Sequence, residues 1–222
     1  TSQVIKLSLN GIKKISKERI LVELLKILDL KKFINLNKNE YLKEIFSLIF
    51  PEFNNFERLD RLKKINNNLY IEKNILLAVL LIDKKDNHEY FAHKYNIANN
   101  IKENLNSLAR DLRLLRENND FFGKDLEKNI YLKNKNYLTN LNIINFAINT
   151  QYKLKDFSEI MRRILQSKLH AFPFNGKYLI KNGMKEGLAL GKVLKMIEDE
   201  WINNNFKISK DRVKEIIKLN SN

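Results

Sequence analysis

A chain of 222 residues that is 44% hydrophobic, with six glycines and two prolines, can bury one large core or two modest ones and has few helix-breaking positions. The absence of cysteine excludes disulfide bonds and thiolate metal sites. No apolar run approaches the ~20 residues that span a bilayer, so we expect a cytoplasmic protein without a membrane partner.

The charge balance is strongly basic. Lys and Arg number 41 against 26 Asp and Glu, which gives a net charge of +15. A field of this strength attracts polyanions and indicates nucleic acid as a partner. The alternative is that an AT-rich genome has raised the lysine and asparagine content without any binding role.

In the first half of the chain, apolar residues recur at helical spacing. The pattern predicts helices at about 17–28, 38–50, 56–65, 71–82 and from 99 onward. Ser16 is placed as the N-cap of the first helix, Pro51 ends the second, and Asn55 is placed to cap the third. The fourth is nearly all apolar, which predicts that it is buried.

The second half of the chain continues the pattern. Helices are predicted at about 121–132, 137–148, 160–169, in a glycine-rich stretch that continues to 201, and after 209. Asp156 and Glu159 have the spacing of a capping box for the third of these, and Ser209 is placed to cap the last. About a dozen helices with short connections predict an all-α fold, arranged as an array rather than a bundle of four.

Residues with catalytic chemistry are sparse. The chain has no Asp-x-Asp pair for two metal ions, and the run 187–192 is one residue short of a phosphate-binding P-loop and lacks its Ser or Thr. The acidic triplet 198–200 would point in three directions on a helix. The three histidines lack metal-ligand spacing with one another, so we expect surface or boundary positions for His88, His93 and His170. We therefore predict no catalytic residue, metal site or cofactor within this chain.

Four of the six glycines lie in the stretch 176–192. The run from Gly183 to Gly187 fits a hairpin between two helices, in which one glycine takes a positive φ and the next helix presents free N–H groups to an anion. The alternative is that Gly187 and Gly191 only let another helix pack closely. Residues 151–192 contain nine basic and three acidic residues, which favours phosphate contact in addition to packing.

These observations define a candidate set of RNA-binding residues. The set combines the hairpin with the basic residues before and around it: Arg162, Arg163, Lys168, Lys177, Lys181, Gly183, Lys185, Gly187 and Lys192.

Two segments carry a more specific resemblance. Residues 11–28 read GIKKISKERILVELLKIL, and residues 172–206 read FPFNGKYLIKNGMKEGLALGKVLKMIEDEWINNNF. The first resembles the neck motif of the bacterial-type tRNA nucleotidyltransferase and poly(A) polymerase family, and the second is similar to the distal end of these enzymes. The order and separation of the two segments also match, whereas the middle of the chain matches only loosely.

The resemblance implies the helical neck, body and tail that hold the RNA, at about 1–66, 67–150 and 151–222. It also implies a nucleotidyltransferase head that uses ATP and CTP with magnesium. The motifs of that head are missing from this sequence, so the chain is expected to begin just after it and to be inactive alone. In the family, the neck residues that match Glu18, Arg19 and Glu23 support the nucleotide pocket. The i, i+4 spacing of Arg19 and Glu23 equally predicts a plain intrahelical ion pair.

Two positions depart from the family pattern. Tyr178 stands where the family has aspartate, so any cap made by that side chain is lost or replaced. Glu186 stands where a proline is common, which weakens phosphate affinity at the helix end.

The sequence thus predicts the tRNA-binding helical region of a CCA-adding enzyme or a poly(A) polymerase, with the choice between the two left open. The alternatives are a standalone helix-hairpin-helix protein that binds nucleic acid, and a helical scaffold that binds another protein.

Overall fold

The computed structural model describes residues 11–12, 14–65 and 71–221. All regular secondary structure in these ranges is helical, which confirms the all-α prediction. Besides a 3₁₀ helix at Lys31–Lys38, the α-helices are α1 Lys17–Leu28, α2 Glu40–Ile49, α3 Glu57–Lys63, α4 Lys73–Leu81, α5 Asn87–Lys94, α6 Asn99–Glu117, α7 Leu126–Lys133, α8 Lys135–Ile148, α9 Leu154–Gln166, α10 Gly176–Lys181, α11 Leu188–Asn203 and α12 Lys210–Leu219. Among the described residues, no helix combines the length and apolar character that a membrane span needs.

The chain divides into two compact units. Unit 1 comprises Thr1–Lys124 and Lys135–Gln166, and unit 2 comprises Asp125–Asn134 and Ser167–Asn222. The division into neck, body and tail stays a prediction, and its first boundary, at residue 66, lies outside the described residues.

Unit 1 is organised around two buried helices. Every residue of α4 from Ile75 to Leu81 is buried, as is every residue of α8 from Leu141 to Ala147. The two helices pack against each other, and α3, α6 and α9 pack on α8. The prediction of a buried helix at 71–82 is confirmed.

Two arginines on α3 bind the C-terminal ends of these buried helices. Arg58 Nη1 donates to the carbonyls of Val79 and Ile82, at 2.7 and 2.8 Å. Arg61 lies one turn later and binds the end of α8 and the loop that follows it. Its donors reach the carbonyls of Phe146, Asn149 and Tyr152 at 2.7, 2.9 and 2.7 Å.

These contacts provide hydrogen-bond donors to carbonyls at the ends of buried helices. The last carbonyls of a helix have no partner within the helix, and a positive charge there also complements the helix dipole. The Arg61 guanidinium also lies 4.5 Å from the centre of the Phe146 ring. Burial lowers the pKa of both Arg58 and Arg61, but arginine remains charged at neutral pH.

A buried asparagine joins α8 to α9. Asn142 is 0% exposed, and its amide donates to the carbonyl of Phe157 at 3.1 Å. Its oxygen accepts from the Tyr152 hydroxyl at 2.8 Å, and burial raises the pKa of that tyrosine. A buried amide left without these partners would be costly, so the pair fixes where α9 rests on α8.

Unit 2 has its own core. Its fully buried members come from α10, the hairpin, α11 and α12: Leu179, Met184, Val193, Ile197, Val213, Ile216 and Ile217. At the far end of α11, Trp201 packs against Tyr131 of α7 and against Phe206, with ring centres 5.3 and 4.9 Å apart. Val193, Ile197 and Trp201 thus form a core face on α11.

Several helix ends are determined by residues close to them in sequence. Ser16 and Ser209 cap α1 and α12, accepting from the backbone N–H of Arg19 and Arg212 at 3.3 and 3.1 Å. Asparagine replaces glycine as the left-handed residue after two helices, with φ of 48° at Asn96 and 52° at Asn205. The predictions for the Ser16 and Ser209 caps are confirmed.

Two other predicted caps are wrong. Asn55 does not cap α3: the helix has Phe56 at its N-cap and no side-chain cap, and the amide nitrogen of Asn55 donates to the carbonyl of Leu80, 25 residues away in sequence. Asp156 and Glu159 do not form a capping box, because α9 already begins at Leu154. Glu159 instead pairs with Arg162 at 2.7 Å.

Replacing Arg61 with alanine is expected to lower the free energy of unfolding by about 2–4 kcal/mol, because several carbonyls would lose a charged donor. Lys64→Ala, at the exposed end of the same helix, is the matched control and should change it by less than about 0.5 kcal/mol. Urea unfolding followed by circular dichroism measures both. Equal stability of the two variants would contradict the capping role of Arg61.

Candidate nucleic-acid interface

The glycine-rich stretch folds as the predicted helix hairpin, formed by α10, residues 182–187 and the start of α11. Asn175 caps α10, since its side-chain oxygen accepts from the N–H of Tyr178 at 3.0 Å. The family has aspartate at position 178, where this chain has tyrosine. The helix cap is nevertheless present, because Asn175 makes it. Gly176 allows α10 to approach α11, because a Cβ there would lie 3.2 Å from Cδ2 of Leu190.

The first turn of the hairpin is a Schellman motif. Gly183 has φ of 104° and donates its N–H to the carbonyl of Ile180 at 3.0 Å. Met184 donates to the carbonyl of Leu179 at 3.1 Å, and these two side chains meet in the core of unit 2. This pair of hydrogen bonds and the contact that accompanies it define the motif. The hairpin is therefore tied to the core rather than loosely exposed.

The second turn leads into α11 through Gly187, whose φ is 142°. Within the described chain no side chain caps the first turn of α11, and Leu188 exposes 91% of its side chain. A Cβ on Gly187 or Gly191 would meet no atom within 4 Å. Close helix packing at these two glycines, the alternative left open by the sequence, is therefore not found among the described residues. It occurs at Gly176 instead.

Positive charge surrounds the hairpin. Four lysines are exposed in it: Lys177, Lys181, Lys185 and Lys192. Lys168 is exposed as well, but it lies two residues before His170, whose ring stacks on Phe206 beyond the other end of α11. Within the part of the chain that the structure describes, none of the five pairs with a carboxylate. Glu186 is also exposed and places one negative charge at the N-terminal end of α11, where it favours the helix but opposes an anion.

The opposite end of α11 has its charges matched. Glu198 accepts from the Tyr131 hydroxyl and from Lys195, and these bonds hold the pKa of its carboxyl below the usual value. Lys195 also binds Asp199 at 2.9 Å, and Arg212 binds Glu200 at 2.8 Å. Glu198 and Asp199 thus share Lys195, whereas Glu200 has a separate partner in Arg212, so the three carboxylates do not converge on one site. The unmatched positive charge of α11 lies at its hairpin end.

Two of the candidate residues belong to unit 1, on α9. Arg162 is exposed and binds Glu159 and Gln166, each at 2.7 Å. Arg163 is half-buried and donates to the carbonyl of Gly123 at 2.8 Å. The guanidinium of Arg163 is thus engaged within unit 1, which makes it a structural residue in addition to a candidate contact.

The three neck residues are exposed on α1. The backbone N–H of Arg19 donates to the capping hydroxyl of Ser16, and the Glu23 carboxylate pairs with Lys26 at 2.9 Å. The predicted ion pair between Arg19 and Glu23 is therefore wrong, because Glu23 uses the partner three residues ahead instead. The position of Glu18, in the first turn of the helix, suits its negative charge.

The histidine positions differ from expectation at one site. His88 is buried at 1% exposure, because it lies on the core-facing side of α5, and burial lowers its pKa. The expectation of a surface or boundary position is wrong for this residue. His170 lies at a boundary, where its ring stacks on Phe206 at 3.7 Å and binds Glu127 at 2.8 Å. His93 is exposed.

One group of side chains has metal-ligand spacing among the described residues. Asp86, His88 and Glu89 each offer one ligand atom, and these atoms lie within 4.8 Å of one another. Magnesium prefers an octahedral set of oxygen atoms, so the ion implied by the family resemblance does not fit this group. The two carboxylates are exposed, which is common without a bound ion, and we assign no metal here.

Sequence reasoning missed a second basic group, in unit 1. Arg58, Lys84 and Arg116 line a single cleft although they are far apart in sequence. The convergence of Arg116 of α6 with residues of α3 and of the loop before α5 depends on tertiary packing, which spacing does not encode.

The chain matches no protein-family model and has no significant similarity to any curated protein sequence.

Substituting Gly183 with alanine should destabilise the hairpin by about 1–2 kcal/mol, since a side chain is strained at its positive φ. Gly191→Ala is the matched control. It lies in a regular helix with open space around it, so it should leave stability unchanged or raise it by up to about 1 kcal/mol. Thermal unfolding of the two variants tests this contrast, and equal melting temperatures would count against it.

Proposed function

We propose that this chain is the RNA-binding helical region of a CCA-adding tRNA nucleotidyltransferase or a related poly(A) polymerase. In this role it holds the RNA while a head domain adds nucleotides to the 3′ end. The observation that carries the proposal is the group of four exposed lysines in the glycine hairpin, Lys177, Lys181, Lys185 and Lys192, none of them paired with a carboxylate among the described residues. The resemblance of residues 11–28 and 172–206 to the family names the class of enzyme.

The charge distribution of unit 2 supports an RNA ligand. Each lysine that contacts a phosphate releases condensed counterions from the nucleic acid, and this release contributes much of the affinity. Lysine contacts of this kind position a backbone without reading bases. They suit the acceptor and T arms of tRNA, because the deep, narrow major groove of an RNA helix hides the bases and leaves phosphates and 2′-hydroxyls to be recognised.

Catalysis in this proposal belongs to the head domain, in the same chain or in a separate one. The head would supply the carboxylates that bind magnesium and the pocket for ATP and CTP. The 222 residues themselves contain no Asp-x-Asp pair. Glu18, Arg19 and Glu23 would then support the nucleotide pocket from the neck, acting on the head rather than on the reacting atoms.

A second candidate is a standalone helix-hairpin-helix protein that binds nucleic acid, which the observed hairpin also favours. Such a protein would bind duplex DNA about as well as tRNA. A competition gel at fixed salt, with tRNA as the labelled ligand and duplex DNA as the competitor, separates the two candidates. A helical scaffold for a protein partner would show only weak tRNA binding that any polyanion displaces.

Reversing two hairpin charges with Lys181→Glu and Lys185→Glu is expected to weaken tRNA binding by about tenfold or more. The salt dependence should also fall, with the slope of log K against log salt reduced by about one for each phosphate that is no longer neutralised. Fluorescence anisotropy over a salt series measures both quantities. Thermal unfolding should be unchanged, since both lysines are exposed.

The matched control is Lys207→Glu with Lys210→Glu. These residues lie in unit 2 beyond the C-terminal end of α11, which at 16 residues extends about 24 Å from the hairpin. The control has the same change in net charge and should retain most of the affinity. Equal losses in the two double variants would show that net charge, and not the hairpin, drives binding.

The purified chain should bind tRNA but add no nucleotide to it. Incubation with tRNA that lacks its CCA end, together with ATP, CTP and magnesium, tests this on a sequencing gel. A full-length family enzyme serves as the positive control. Extension of the 3′ end by this chain alone would contradict the assignment of catalysis to a head domain.

A further inference from the structure

A cleft of about 450 Å³ opens in unit 1, formed by residues of that unit alone. Its lining includes Arg58 of α3, Lys84 before α5, Arg116 in the last turn of α6, and Asn149 and Thr150 after α8. Among the described residues that line it, only Asp83 is acidic. The volume falls within the ~300–1,000 Å³ typical of small-molecule sites, so a phosphate-bearing group has ample room.

The charges of this cleft are unbalanced. Three basic side chains face one carboxylate, and that carboxylate is already engaged. Asp83 Oδ1 accepts from the backbone N–H of Lys85 and Asn87 at 2.8 and 3.3 Å. Burial lowers the pKa of Arg58, the carboxylates of Glu57 and Asp83 raise it, and the positive charge of Arg116 lowers it, so the two guanidinium groups lie close enough to repel each other. A bound anion would relieve that repulsion.

Two helix ends near the cleft would normally repel an anion. Both α4 and α8 end at this part of unit 1, and the C-terminal end of a helix carries partial negative charge. Arg58 and Arg61 donate hydrogen bonds to the terminal carbonyls of these helices. Their positive charge offsets the partial negative charge that would repel an anion. Lys84 and Arg116 remain exposed, and neither forms an ion pair with a carboxylate among the described residues.

We propose that this cleft binds a phosphate group, with Lys84 and Arg116 as the charged contacts and the polar groups of Asn149 and Thr150 beside them. Arg58 contributes positive electrostatic potential rather than a direct contact, because its Nη1 already donates to carbonyls at the end of α4. The phosphate belongs either to a small ligand or to an RNA backbone. The second source rests on the proposed function, whereas the first is independent of it.

The test titrates the whole chain with inorganic pyrophosphate and follows assigned backbone amides by NMR. Saturable shifts are expected at Lys84, Asn149 and Thr150. The double variant Lys84→Glu with Arg116→Glu should bind pyrophosphate at least about tenfold more weakly. The matched control, Lys32→Glu with Lys102→Glu, changes two exposed lysines of unit 1 outside the cleft and should bind as the unaltered chain does.

A parallel titration with tRNA identifies the source of the phosphate. Shifts of the same amides assign it to the RNA backbone, and pyrophosphate shifts without tRNA shifts assign it to a small ligand. If tRNA fails to bind at all while pyrophosphate still shifts these amides, the proposed function fails and the phosphate site stands. The proposal is overturned if pyrophosphate leaves the cleft amides unmoved, or if the Lys84 and Arg116 variant binds it as tightly as the control.

Discussion

Two guanidinium groups on one short helix hold unit 1 together. Helix α4 and the C-terminal half of α8 are buried, so water does not reach their terminal carbonyls freely. Arg58 and Arg61 supply the missing donors, one helix end each. Because both side chains come from α3, the position of α3 is fixed relative to both buried helices. The 3₁₀ helix that packs on α3 is positioned in turn. The positive charges of the same two arginines also favour the anion that we propose for the neighbouring cleft.

Unit 2 uses charge in a different way. Along α11, the carboxylates near Trp201 are each matched by a lysine, an arginine or a tyrosine hydroxyl. Toward Gly187 the lysines have no such partners among the described residues. The Schellman motif and the Asn175 cap hold the hairpin against the core, so these lysines extend from a rigid support. An electrostatic site on a fixed support loses less conformational entropy when it binds, which supports the proposed binding of RNA phosphates.

Features that depend on neighbours in sequence were predictable, and features that depend on tertiary contacts were not. The Ser16 and Ser209 caps and the buried helix at 71–82 follow from spacing and composition, and the structure contains all three. Asn55 makes no capping hydrogen bond, and its amide nitrogen instead donates to the carbonyl of Leu80, a tertiary contact. His88 was expected at a surface or boundary position, yet its face of α5 points inward. The Lys84 and Arg116 cleft forms only when four distant segments meet.

The left-handed residues at the helix ends also bear on how freely this chain can change over evolution. Asn96 and Asn205 occupy φ near 50°, a conformation that asparagine, aspartate and glycine all tolerate. Gly183 and Gly187, at 104° and 142°, have conformations that a side chain rarely adopts. At Asn96 and Asn205, substitution by aspartate or glycine therefore preserves the turn. The two hairpin positions accept only glycine, which gives a structural reason why a chain so poor in glycine has glycine there.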